Sequence, residues 1–187
     1  SFYGNKFVTA AQGGMILSNN KELLEAASKF KNHGRSTKGT FFHESVGFNF
    51  CTSDLHSALG YSQMLRYEII RKRKLKIFER YKTNLAKIDS LKLDKIDSSK
   101  PAYWFISLFC EDASDLEHRL KIQGVQTRRS FPPLSLQPCF KNSEILKLDS
   151  DENAKKIFNC YLSLPSSATL TDTQVDSICE ILISAVK

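Results

Sequence analysis

The stretch from Thr52 to Ala86 constrains the fold more than any other. Thr52, Ser53 and Asp54 offer helix N-caps, and Ala58, Leu65, Ile69, Ile70, Ile77, Phe78, Tyr81 and Leu85 follow as an apolar stripe that drifts around a helix. The pattern predicts one helix running to about residue 86, on the order of 50 Å long if unbroken. A kink near Gly60 or within the basic run Arg71-Lys72-Arg73-Lys74-Leu75-Lys76 is the alternative. A helix of that length outgrows a single small core and suits a bridge between two bodies.

Either side of it the patterning differs. Ahead of it, Phe7 to Thr9 and Met15 to Leu17 read as short strands joined by an Ala-Ala-Gln-Gly-Gly turn. Ser18, Asn19 or Asn20 caps a helix with Leu23, Leu24, Ala27 and Phe30 on one face, ended by Gly34 after His33. Residues 35 to 52 form a long loop holding four phenylalanines, a composition that argues against disorder and for a functional segment.

Beyond the helix, residues 87 to 101 are a polar connection. Tyr103 to Phe109 is a buried strand. Asp112 caps a helix with Leu116 and Leu120 inward and Gly124 at its end, and Val125 to Thr127 is a further strand. The Phe131-Pro132-Pro133 segment is extended, residues 151 to 161 are helical, and Leu162 to Pro165 leads into a turn. Thr171 and Gln174 make a capping box for a final helix whose inner face is Val175, Ile178, Cys179, Leu182 and Val186. The alternation from Pro101 onward describes a small α/β domain.

Five cysteines without a Cys-x-x-Cys pair favour free, mostly buried thiols in a reducing compartment, hence the cytoplasm, and no zinc or other metal site. No apolar run approaches a membrane span, and no signal peptide is visible. The formal net charge of +7 raises the question of nucleic acid. Much of that charge sits in the basic run, whose residues spread around a helix as a solvated face, and no nucleic-acid module surrounds it.

The chemistry concentrates in the first fifteen residues. Lys6 follows Ser1-Phe2-Tyr3-Gly4-Asn5 and precedes a short apolar run and Gln12-Gly13-Gly14-Met15. Lysines among apolar and small residues lose hydration, which favours the nucleophilic amine that Schiff-base chemistry needs. Taken alone, a lysine beside a turn is usually just solvated.

The motif Ser-Phe-Tyr-Gly-Asn-Lys with Gln12-Gly13-Gly14-Met15 resembles the lysine segment of the DegT/DnrJ/EryC1/StrS family of pyridoxal-phosphate-dependent nucleotide-sugar aminotransferases. Asn32-His33-Gly34, Gly47-Phe48-Asn49-Phe50, Ala58-Leu59-Gly60-Tyr61-Ser62-Gln63, Pro133-Leu134 with Gln137-Pro138, and Leu162-Ser163-Leu164-Pro165 match in the family's order. The resemblance runs over nearly the whole chain. It implies the C-terminal half of a fold-type I aminotransferase, an α/β fold. Residues 1–52 would be a remnant of the large cofactor-binding domain, 53–100 the connecting helix and linker, and 101–187 the small C-terminal domain. The family carries about as much chain again before its lysine, so the resemblance further implies a fragment inactive by itself. A non-catalytic fragment or assembly partner is the alternative.

The resemblance assigns roles. Lys6 is the catalytic lysine that bonds to pyridoxal 5'-phosphate and moves the proton during transfer, with glutamate as amino donor and a keto-deoxy nucleotide sugar as acceptor. Ser1 hydrogen-bonds the cofactor phosphate. Asn49 reaches the phosphate bound in the neighbouring subunit, which implies a homodimer with shared sites; without the resemblance it reads as a turn asparagine after Gly47. His33 is a substrate-side contact, or simply a partner of the helix dipole.

Three departures bear on the substrate. Ala11-Gln12-Gly13-Gly14 replaces Gly-Glu-Gly-Gly, Cys51 stands where the family has arginine, and Ser135 where many members have histidine. Arg128 and Arg129 are candidates to compensate for the lost cationic anchors, or are surface charges. Apolar residues around Phe2, Tyr3 and the loop phenylalanines are expected to be exposed and to drive association.

Overall fold

A computed structural model describes residues 1–35, 41–94, 101–140 and 150–186. The chain divides into two compact units, Ser1–Glu68 and Ile69–Lys187.

In the first unit, helix α1 (Lys21–Lys31) starts at Asn20, whose side-chain oxygen accepts the Leu23 N–H. Its end departs from the glycine rule. His33 takes the left-handed conformation (φ 59°), a region that histidine enters more readily than most residues. The Gly34 N–H then reaches back to the Lys29 carbonyl.

The segments expected as strands at Phe7–Thr9 and Met15–Leu17 are not strands. Both flank a loop closed on Phe2, whose N–H donates to Gly13 and whose carbonyl accepts from Ala10, each at 2.9 Å. Strand identity requires a paired neighbour, and among the described residues neither segment has one. Met15, Ile16 and Leu17 stay exposed, as do Tyr3, Phe41, Phe42 and Val46.

The long helix is two. Helix α2 (Asp54–Leu65) is capped by the Ser53 side chain, and α3 (Tyr67–Leu85) resumes after Arg66. The Arg66 N–H bonds to Gln63 and Met64, tightening that turn at a place with neither glycine nor proline to mark it.

The second unit holds the core. Strands β1 (Lys92–Leu93), β2 (Ile106–Phe109), β3 (Arg128–Arg129) and β4 (Tyr161–Leu164) form an antiparallel sheet in the order β1-β2-β4-β3. The polar connection therefore contains a strand, and Leu162 to Leu164, expected to lead into a turn, lie in strand β4 ahead of one at 168–169. Register sets Ile106 opposite Leu164 and Leu108 opposite Leu162, so these four share one face. On it pack Ile77, Phe78 and Tyr81 of α3, Leu116 and Leu120 of α4 (Ala113–Ile122), and Val175, Cys179 and Leu182 of α6 (Asp172–Ala185).

Strand β3 begins later than the expected Val125 because Val125 closes the end of α4. Its N–H bonds to the Leu120 carbonyl while Gly124 (φ 79°) bonds to Lys121. Helix α5 (Glu152–Cys160) precedes β4, and α6 opens with the expected capping box of Thr171 and Gln174. All five cysteines are free. Cys110 and Cys179 are buried, but Cys51 and Cys139 are exposed, against the expectation of mostly buried thiols. No helix among the described residues is long and apolar enough to cross a membrane.

The basic run is not a merely solvated face. Arg73, Lys76 and Arg80 fall at i, i+3 and i+7, which aligns them on one side of α3. There Arg73 and Lys76 pair with Asp172 at 2.6 and 2.7 Å, and Arg80 grips Asp176. These acidic groups lie in the first two turns of α6, where the helix dipole also favours them. Lys76 and Arg73 hold the Asp172 carboxyl at about 2.

Lys74 is buried, its ammonium donating to the carbonyls of Ser166 (2.6 Å) and Trp104 (3.4 Å). Burial lowers its pKa from 10.5 to about 8. Between those values the unfolded chain binds the extra proton, so this group makes stability rise with pH across that window. Lys74→Met is expected to remove about 2 kcal/mol of that rise. Urea unfolding of both proteins at pH 8 and pH 10 measures it; equal slopes would refute the assignment.

Candidate functional site

Lys6 sits at the tip of the loop closed on Phe2. Its N–H bonds to the Tyr3 carbonyl at 2.9 Å, which turns the chain just before the side chain. Thr9 stiffens the returning arm, its hydroxyl donating to the Phe2 carbonyl and accepting the Ala11 N–H. Ala11 (φ 64°) and Gly13 (φ 127°) reverse the backbone behind it. Two contacts anchor the loop within the first unit. Ala10 is buried against Gly60 of α2, where any side chain would bring its Cβ to 3.2 Å of the Ala10 methyl. The Phe7 ring packs against Tyr67, 5.4 Å between centroids.

Lys6 is thus half-buried on a tied loop. Gly4, two residues before it, and Gly14 face open space, since a Cβ at either meets nothing within 4 Å. The loop and α2 also enclose an apolar cavity of about 260 Å³ lined by Val8, Ala10, His56, Gly60 and Tyr61. Lys6 is not among the residues that line it. Ser1 lies on the same loop, its hydroxyl accepting the Tyr3 N–H at 3.4 Å.

Asn49 is placed by a second device. The Phe48 and Phe50 N–H groups, each at 2.8 Å, cover the Phe30 and Lys31 carbonyls that α1 leaves unpaired at its end. The His33 N–H returns a bond to Phe48, and Asn49 bridges Asn32. The rings of Phe48 and Phe50 stack at 5.2 Å, and Phe30 packs against both. Asn49 stands exposed between them. Its position depends on two glycines. A Cβ on Gly47 would lie 2.2 Å from the Gly34 nitrogen, and one on Gly34 only 1.9 Å from the Ser45 carbonyl oxygen. His33 belongs to this second device, with its carbonyl accepting from the His43 ring at 2.6 Å.

Ser1 and Lys6 therefore share one loop of the first unit, and His33 and Asn49 the other. Arg128 and Ser135 lie in the second unit. Ser135 is hydrogen-bonded to Asp151. Arg129 donates to the Phe158 carbonyl at 2.9 Å and lies over the Phe158 ring. Arg128 instead lies over Phe105 and Phe131, at 5.7 and 5.1 Å, beside a cleft of about 220 Å³ on the sheet face opposite the core. Asp94, Ser107, Tyr161 and Ser163 also line it. Sequence reading missed these four. For Ser107, Tyr161 and Ser163 the signal available was the alternation within β2 and β4, whose outward positions carry them; Asp94 lies outside both strands.

Residues 1–183 match the model of the DegT/DnrJ/EryC1/StrS aminotransferase family. Similar curated proteins include the GDP-perosamine synthases of Escherichia coli O157:H7 and Vibrio cholerae. The first is 27% identical over 96% of this chain and 49% of its own length. The second is 28% identical over 96% and 50%. Among solved structures, the aminotransferase TlmJ from Streptoalloteichus hindustanus superposes with a TM-score of 0.87 at 24% identity, over 99% of this chain and 50% of its own. Helicobacter pylori PseC, an aminotransferase involved in the biosynthesis of pseudoaminic acid, also gives 0.87, at 21% identity over 99% and 52%. The chain spans about half the length of the curated relatives it matches. The structural likeness shows the fold: an α/β arrangement equivalent to about half of an aminotransferase chain.

Proposed function

Because the chain belongs to the DegT/DnrJ/EryC1/StrS aminotransferase family, we propose that it carries the catalytic lysine of a pyridoxal-phosphate-dependent aminotransferase. The reaction moves an amino group from glutamate to a keto-deoxy nucleotide sugar. The observation that carries this reading is Lys6, half-buried at the tip of a loop tied on both arms, within the matched segment. The donor set fits the cofactor: a primary amine for its aldehyde, and a hydroxyl and an amide for its phosphate. Gly4, two residues before Lys6, faces open space.

Pyridoxal phosphate, when bound, supplies the electron sink for the carbanion formed on the donor. The chain's own residues do the rest. Lys6 would hold the cofactor through its aldehyde carbon, and its free amine would take the proton from the donor carbon. The Ser1 hydroxyl and the Asn49 amide donate to phosphate, Asn49 to that of the neighbouring subunit in a homodimer. His33, Arg128 and Ser135 are proposed as substrate contacts. Cys51 cannot serve as a cationic anchor, and its thiol donates to the Lys31 carbonyl at 3.5 Å.

The 187 residues alone are expected to hold the cofactor weakly. Among the described residues of Ser1–Glu68 only Ala10 and Gly34 are buried, so neither loop rests on a substantial core. The test is reductive trapping. The enzyme containing these residues is loaded with pyridoxal phosphate, reduced with borohydride and mapped by mass spectrometry. The cofactor is expected on Lys6 and nowhere else in Lys6-containing enzyme. Label scattered over surface lysines would refute the assignment and favour a non-catalytic assembly partner.

A further inference from the structure

The outer face of the sheet in Ile69–Lys187 carries a row of groups that the core does not explain. Register places Arg128 of β3 opposite Ser163 of β4, and Ser163 opposite Ser107 of β2. The Asp94 N–H bonds to the Ser107 carbonyl at 3.0 Å, which extends the row past β1. At about 4.8 Å per strand, Arg128 and Asp94 start roughly 14 Å apart at the backbone. The two serines floor the gap between them, and the space above is the cleft of about 220 Å³.

Arg128 is held and unspent. Its guanidinium lies over the Phe105 and Phe131 rings, which fix its plane through cation–π contact. Ring contact occupies the faces of a guanidinium and leaves its in-plane N–H fork free. Among the described residues, no carboxylate or carbonyl takes that fork, and the Ser107 and Ser163 hydroxyls are likewise without partners. The neighbouring arginine differs, since one Arg129 terminal nitrogen donates to Phe158 and Asn159, while its Nε is buried without a partner. Among the described residues Asp94 forms no ion pair with Arg128; partial burial raises its carboxyl pKa, with the nearby Tyr161 hydroxyl opposing the rise.

We propose that this cleft binds the oxyanion of a small molecule, with Arg128 gripping it through two parallel N–H bonds and the Ser163 and Ser107 hydroxyls completing the contact. Carboxylate and phosphate share the required chemistry, two coplanar acceptor oxygens. The inference deepens the function proposed above by naming what Arg128 takes, and rests on that reading only for the biological source: the amino donor's carboxylate or the nucleotide sugar's phosphate.

The test requires neither cofactor nor turnover. The chain, labelled with nitrogen-15, is titrated with glutarate, with inorganic phosphate and with uncharged glutaramide. Glutarate or phosphate is expected to shift the Arg128 side-chain Nε–H and the Ser107 and Ser163 amides, and glutaramide to leave them unmoved. Whichever anion binds tighter assigns the source. Arg128→Gln should weaken binding roughly tenfold to a hundredfold. Arg128→Lys should fall between, keeping the charge and losing the fork, while Lys156→Gln on α5 should bind as the parent does. Unchanged spectra show that each variant is folded. Absent shifts with both anions, shifts spread over all basic residues, or undiminished binding by a folded Arg128→Gln would overturn the proposal. Failure of lysine trapping leaves this result untouched, so the two readings fall separately.

Discussion

Lys6→Ala is expected to lower amino transfer by about four orders of magnitude or more, because it removes both the nucleophile and the proton carrier. Asn49→Ala is expected to act differently. It removes one hydrogen bond to a charged phosphate, which weakens cofactor retention by roughly tenfold to a hundredfold. The informative experiment mixes the two variants. If Asn49 serves the neighbouring subunit, a hybrid dimer concentrates both lesions in one site and leaves the other intact. Random reassortment makes half of the dimers hybrid, each with one working site of two, so recovery approaches about a quarter of the parent rate. Product formation from a keto-deoxy nucleotide sugar and glutamate, followed after unfolding and refolding the mixture, measures it. No recovery above the sum of the separate variants would place Asn49 in its own subunit's site, or in none.

Gly47→Ala is expected to be as damaging to the second loop as Lys6→Ala is to the chemistry. The added methyl would sit 2.2 Å from the Gly34 nitrogen, 2.7 Å from the His33 carbonyl carbon and 2.8 Å from the Phe30 carbonyl oxygen. All three are backbone atoms, so no side-chain rotation relieves the clash. The two segments must separate, and that breaks the bonds from Phe48 to Phe30 and from His33 to Phe48. At about 1 kcal/mol each, with the stacked phenylalanines loosened as well, the local cost is of the order of 3 kcal/mol. Asn49 then loses its position, and cofactor retention should fall at least as far as in Asn49→Ala. Hydrogen exchange at the Phe48 and Phe50 amides is the direct readout. Unchanged protection there would show that the glycine contact does not hold the loop. The second unit, with a core of its own, should be unaffected.

Local signals were legible wherever a short stretch closes on itself. The cap of α4 at Asp112, its end at Gly124 and the capping box at Thr171 are each complete within about six residues. The end of α1 was legible in place but not in mechanism. Gly34 stands there, yet His33 makes the left-handed turn and the Phe48–Phe50 backbone covers the free carbonyls. Lys6 drew attention through its motif. How the loop around it is held was not readable, because the Phe2 bonds to Ala10 and Gly13 and the Ala10–Gly60 contact depend on folding back.

The sequence by itself determined the helical stretches apart from the break at Arg66, most of their caps and many inward residues of the second unit, since periodicity and neighbouring-residue chemistry fix these without distant contacts, and it carried the motif by which Lys6 resembles the family. Tertiary structure decided everything that needs a partner far along the chain. Met15–Leu17 has strand composition but no paired strand among the described residues, whereas Lys92–Leu93 has unremarked composition and becomes a strand by pairing with Leu108 and Phe109. The same holds for charge. Arg73 and Lys76 read as part of a solvated face until α6 brings Asp172 against them. Arg128 and Arg129 are adjacent and identical in kind, and only the pleat of β3 and its neighbours turns one onto Phe158 and leaves the other's N–H fork open over a cleft. Burial, pairing and electrostatic complement are properties of residues brought together by the fold, and no single stretch contains them.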